Sequence, residues 1–200
     1  MSSENSPTRI RILKAAWELL ETNPGVAARM SDIAKKAGVS RQALYLHFPN
    51  RTELFIATTK YQDEMFGVQD MLSKSRAATT GHERLDAFIE AWGNYIPKIF
   101  GVAKTLMVMQ ATDEDAARAW GERMQDMREG CAAAVAALDR DGALNLDPEG
   151  ATDLLWTLLS IPTWEHLTQL CGWPQERYIA TIKRLALGGL TTPPHAPNAA

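Results

Sequence analysis

Residues 29–48 carry the chemistry of this chain. They read Arg-Met-Ser-Asp-Ile-Ala-Lys-Lys-Ala-Gly-Val-Ser-Arg-Gln-Ala-Leu-Tyr-Leu-His-Phe. Two short helical stretches joined by a four-residue turn containing glycine form the helix-turn-helix plan. Its residue types sit where the geometry needs them. Ala34 is small where the second helix crosses, Gly38 can take positive φ in the turn, and Val39 and Leu44 fill the wedge between the helices. Such a unit can lay a helix in the major groove of DNA, which is about 12 Å wide. With Leu44 and Phe48 facing inward, a turn of about 100° per residue points Gln42 and Leu46 outward. Arg41 and Tyr45 flank them on one side and Ala43 on the other. Gln42 can pair with adenine N6 and N7, and Ala43 or Leu46 can meet a thymine methyl. Arg41 suits guanine or a phosphate. Tyr45 and His47 suit phosphates, which position the protein without specifying sequence. Ser40 and Asn50 begin helices, so the N–H groups beside them can receive phosphate oxygens, and Arg51 can reach the same strand. A plain helical hairpin with a solvated basic face is the alternative. It does not need an outward Gln/Tyr/Leu edge.

Charge follows the same division. The chain has 200 residues and net charge −3. Residues 1–60 hold nine Lys/Arg and five Asp/Glu, a local charge of +4, whereas the remainder carries −7. A basic head on an acidic body expects a polyanion at the head. Other function classes find little support. The two cysteines, Cys131 and Cys171, offer neither a disulfide framework nor metal spacing, and a reducing cytoplasm is expected. No apolar run reaches the roughly 18 residues of a membrane span, and the first seven residues lack the apolar stretch of a signal peptide. No H-E-x-x-H, G-x-S-x-G or glycine-rich phosphate loop occurs. The adjacent pairs Glu165-His166 and His82-Glu83 diverge on a helix. No enzyme activity, metal or cofactor is expected.

The elements around this segment all read as helix, about nine in number. Ser6-Pro7 is an N-cap followed by proline, and Ile10, Leu13, Trp17 and Leu20 then recur on one face. Asn50 and Glu53 form a capping box that opens a longer fourth helix. Thr80 and Glu83 form another, opening a helix that Pro97 or Gly101 interrupts. Thr112 to Asp115 opens a long helix ending near Asp141-Gly142. Asp147-Pro148 opens the next, which Pro162 should kink by removing the bond to Leu158. The last helix ends near Gly188-Gly189, and residues 191–200 are expected to be disordered.

Residues 33–54, with the runs I-A-x-x-A-G-V-S and L-Y-x-H-F followed by a basic residue and E-L, resemble the DNA-binding domain of TetR-family transcriptional regulators. The likeness covers about residues 8–55. It implies an all-α homodimer with a three-helix head over residues 1–55 and a body over residues 56–190 for ligand binding and dimerisation. It also implies that Gln42, Tyr45, Leu46, His47 and Arg51 sit at contact positions. Two departures stand out. Arg29 replaces the Thr or Ser that often caps the second helix, and is expected to reach a phosphate or the minor groove, with Ser31 beside it. Leu46 replaces an aromatic.

The body is rich in Trp and Met, types that suit an apolar ligand pocket as well as a core. The candidates for ligand contact are Trp92, Tyr95, Met107, Gln110, Trp120, Met124, Met127, Trp156 and His166. Residues 151–187 are apolar around whole helices, which requires burial all round and points to pairing of the last two helices with those of a second copy. The expected partners are thus an operator duplex, a second copy and a small-molecule effector, with no membrane. The expected function is a dimeric regulator, in the repressor sense, released from DNA by an apolar or aromatic effector. The competing readings keep the DNA-binding dimer with a body that takes no inducer, or make the chain a helical ligand-binding protein that does not bind DNA.

Overall fold

The computed structural model describes residues 6–191. The tail expected to be disordered therefore lies, from residue 192 on, outside the described residues. Helix α1, Pro7–Thr22, starts as its sequence dictates: Ser6 accepts the Arg9 N–H at 3.2 Å and proline occupies the first turn. It buries Ile12, Leu13, Ala15, Ala16 and Leu20. Helix α2, Met30–Ala37, has no side-chain cap at Arg29 and ends at Gly38, whose φ of 67° lets the Val39 N–H close back on the Ala34 carbonyl at 3.0 Å. Helix α3, Arg41–His47, is capped by Ser40. Helix α4, Arg51–Phe66, is capped by Asn50, which accepts the Glu53 N–H at 2.8 Å and donates to the Glu53 carboxylate at 3.1 Å.

From there the chain departs from expectation in three places. The fourth helix stops at Phe66, because Gly67 turns into the left-handed region, and two short helices follow, α5 (Val68–Met71) and α6 (Ser73–Ala77). Helix α7, Gly81–Met109, runs through Pro97 and Gly101, where an interruption is expected. Proline at 97 has no N–H for the Gly93 carbonyl, and the Gln175 amide supplies one instead, at 2.7 Å. Helix α8 is Glu114–Arg140. Pro162 does not kink a continuous helix. Helix α9, Pro148–Leu158, ends, and Ser160 caps a new one, α10 (Ile161–Glu165), in whose first turn the proline sits without cost. A π-helical turn, His166–Leu170, and helix α11, Gln175–Leu190, complete the chain. The described residues thus hold eleven α-helices rather than nine, and no strand beyond a single antiparallel bridge between Leu144 and Thr191. The all-α class holds.

The helices form two compact units. The first runs to Val68 and takes Ile99–Arg123 as well; the second takes Gln69–Lys98 and the chain from Met124 on. In the first unit, Gly101 meets the end of α1 so closely that a Cβ would lie 2.6 Å from both Glu21 Cα and the Leu20 carbonyl oxygen. The Glu21 carboxylate accepts the Gly101 N–H at 3.1 Å, and burial there raises its pKa above the ordinary carboxylate value. Arg123 grips Asp63 of α4 through two hydrogen bonds of 2.7 and 3.0 Å. In the second unit, Lys183 of α11 lies 2.8 Å from Asp86 and 2.7 Å from Glu90 of α7.

Candidate nucleic-acid interface

Helix α3 is held from behind. Leu44 and Phe48 are buried, and the Arg9 guanidinium of α1 lies 4.2 Å from the Phe48 ring centre while donating to the His47 carbonyl at 3.4 Å. The Ser40 hydroxyl accepts the Ala43 N–H at 3.1 Å, fixing the first turn. These supports leave one edge in solvent. Gln42 and Arg41 are exposed, Tyr45 is 42% exposed, and Leu46 is 82% exposed. A leucine so bare has no packing role in the isolated chain. It is free to bury against a partner.

Of the ten residues expected at DNA, five line one groove of about 720 Å³ beside α3: Arg29, Ser31, Arg41, Tyr45 and Arg51. Ser40, Gln42, Ala43, Leu46 and His47 are not part of that groove. Ser40, Gln42 and Leu46 are exposed, and Ala43 and His47 half-buried. Asn50 completes the basic wall with the cap of α4. Three arginines and the first turn of α4, features that suit anion binding, share this lining with the carboxylates of Asp113 and Asp115.

Sequence reasoning missed three participants. Arg9 gives no local sign that it braces α3 from 38 residues away. Thr52 and Asp113 meet across 61 residues, with the Thr52 hydroxyl donating to the Asp113 carboxylate at 2.5 Å. Asp113 also accepts the Ala116 N–H at 3.0 Å as the cap of α8. These bonds, that of Thr52 foremost, hold the Asp113 carboxyl below the usual carboxylate range.

Residues 12–58 match the family described as bacterial regulatory proteins, tetR family. Over that segment, which holds α2 and α3, the chain is similar to the tetR family. Among curated relatives, the nucleoid occlusion factor SlmA of Marinomonas sp. is 36% identical over 64 residues, which are 32% of this chain and 32% of that protein. The chain thus matches about a third of the length of such relatives. Two solved structures extend the likeness in fold to nearly the whole chain. A protein from Saccharomonospora viridis, solved in complex with choline, matches with a TM-score of 0.79 at 15% identity, over 92% of this chain and 98% of that one. The transcriptional regulator FadR from Bacillus subtilis, in complex with stearoyl-CoA, matches with a TM-score of 0.73 at 18% identity, over 90% and 98%.

The nine residues expected to contact a ligand are distributed over both compact units. Met107, Gln110 and Trp120 belong to the first compact unit, and Trp92, Tyr95, Met124, Met127, Trp156 and His166 to the second. Tyr95, Trp120 and Met127 are buried, and His166 is exposed. The Trp92 and Tyr95 rings lie 5.6 Å apart, and the Trp92 indole N–H is engaged by the Leu159 carbonyl at 3.1 Å. Among the described residues, no helix is long and apolar enough to cross a membrane.

Proposed function

We propose that this chain is a tetR-family regulator, a cytoplasmic transcriptional repressor that binds a palindromic operator as a homodimer and is released by a small effector, apolar or aromatic in character. The observation that carries the reading is the solvent-facing edge of α3, with Gln42, Tyr45 and Leu46 exposed while Leu44 and Phe48 anchor the helix. One such helix reads few base pairs, and two heads spaced by one helical turn, about 34–36 Å, read enough to select a site. The last helices support the dimer. Leu170 is 74% exposed and Leu185 49% exposed in the single chain, on the segment expected to pair with its two-fold mate. The effector reading draws on the two structural relatives solved with choline and with stearoyl-CoA, and assigns contact with it to the nine aromatic, Met and polar candidates in residues 56–190. Release requires the effector to favour a DNA-incompetent state by about 5.5 kcal/mol for a near-complete switch.

Selecting duplexes from a random pool with the purified chain tests this directly. The expected product is an inverted repeat with half-sites about one helical turn apart, or a multiple of it. Repeating the selection with Gln42→Ala relaxes one base position in each half-site, whereas Arg51→Ala weakens binding to every sequence. A recovered motif without two-fold symmetry, or a pool that never enriches, overturns the reading.

A further inference from the structure

The groove beside α3 is not lined by cations alone. Arg29, Arg41, Arg51 and Tyr45 line it from the head, and Asp113 and Asp115 line it from the start of α8. Asp113 cannot swing away easily. One carboxylate oxygen caps α8 through the Ala116 N–H, and the other receives the Thr52 hydroxyl, one residue after Arg51. Its negative charge is therefore fixed at the first turn of α4, the turn that presents Arg51 to a phosphate. The Thr52 bond foremost, then the Ala116 N–H and, least, the charge of Arg51 favour the ionised form, so Asp113 stays negative at neutral pH. Asp115 differs, because the Arg118 guanidinium on its own helix already pairs with it.

We propose that the acidic start of α8 is a built-in counter-charge on the DNA-binding edge, in which Asp113 competes with DNA phosphate for the field of Arg51 and lowers affinity for every duplex alike. This rests on the DNA-binding reading above. The carboxylate touches no base, so it sets how tightly the head holds DNA and leaves the choice of sequence to α3. Two unit charges at roughly 7 Å in water shift binding by about threefold, so one such carboxylate on each of two heads gives about tenfold. Screening shrinks that effect as the Debye length falls below the separation. The acids thus keep non-specific attachment weak, which matters because random duplex vastly outnumbers any operator.

Titration of the 200-residue chain, by fluorescence anisotropy, against its selected operator and against a random-sequence duplex at several salt concentrations tests the proposal. Asp113→Asn removes the charge but keeps the fold, since Asn caps helices as well as Asp and its amide can donate to Thr52. It is expected to tighten both duplexes by the same factor, about tenfold at low salt and less than threefold at 0.3 M. Asp115→Asn is expected to tighten both by a smaller factor, about twofold, because its charge is already paired. Unchanged or weaker binding by Asp113→Asn, or a gain confined to one duplex, overturns the proposal. Should Asp113→Asn melt well below the wild type, Asp115→Asn decides alone, and no gain there overturns it. A wild-type chain that retains neither duplex instead refutes the DNA-binding reading, and this inference falls with it.

Discussion

Leu46→Ala separates recognition from folding more cleanly than any other substitution in α3. The side chain is 82% exposed, so truncation removes almost nothing from the folded core. Fully burying a leucine contributes about 1.5–3 kcal/mol. If the operator covers half of what is now bare, each head gains about 0.6–1.2 kcal/mol from it, or a factor of about 3–8. Two independent heads multiply these factors to roughly 10–60. Paired measurements check this: thermal melting of the free protein, and operator affinity at fixed salt. The expected outcome is an unchanged melting temperature with operator binding weaker by roughly 10–60-fold and the salt slope preserved, because no phosphate contact is lost. Two results refute the reasoning. Equal operator affinity means that Leu46 never meets the bases. A melting temperature lowered by several degrees means that the side chain packs within the folded protein.

Three further outcomes follow from the packing. Gly101→Ala forces a Cβ against the backbone of α1 and is expected to destabilise by about 1–3 kcal/mol, whereas Gly121→Ala, in an open stretch of α8, should be neutral or stabilising by up to about 1 kcal/mol; urea titration of both compares them. Burial raises the Glu21 pKa in the folded chain, so above the ordinary 4.5 the folded state holds the proton that the unfolded state has released, and stability falls as pH rises through that window. Glu21→Gln should remove this slope, and parallel pH profiles of variant and wild type would count against it. Burial pushes the Cys131 thiol up to about 12 while Cys171 is exposed, so a thiol reagent at pH 8 should label one cysteine in the native chain and two in denaturant.

The parts of this structure that sequence made legible are those decided within one turn of chain. Ser6, Ser40, Asn50 and Asp147 cap helices because their side chains reach N–H groups three residues on, and Gly38 ends α2 because its φ is positive. The inward pair Leu44 and Phe48 follows from spacing alone, and with it the outward edge of α3. What stayed hidden depends on partners far away in sequence. Arg9 beneath α3, and Asp113 on Thr52, join segments 38 and 61 residues apart, and no periodicity announces them. The aromatic and Met residues of the body pose a different difficulty. A half-buried Trp156 or Met124 has the same sequence signature whether its neighbour is a side chain or a ligand.

The bridge from Gln175 to the Gly93 carbonyl makes two distant positions answer for each other. In the present chain, loss of Gln175 strands a buried acceptor, at a cost of about 1–3 kcal/mol. In a chain where position 97 regained an N–H, the helix would satisfy that acceptor itself and glutamine would become dispensable. The order of substitution then matters: a lineage can abandon residue 175 only after residue 97 has changed. Homologues should therefore lack the proline wherever they lack a donor at the start of the last helix, an asymmetry that a pairwise tally of sequences can read.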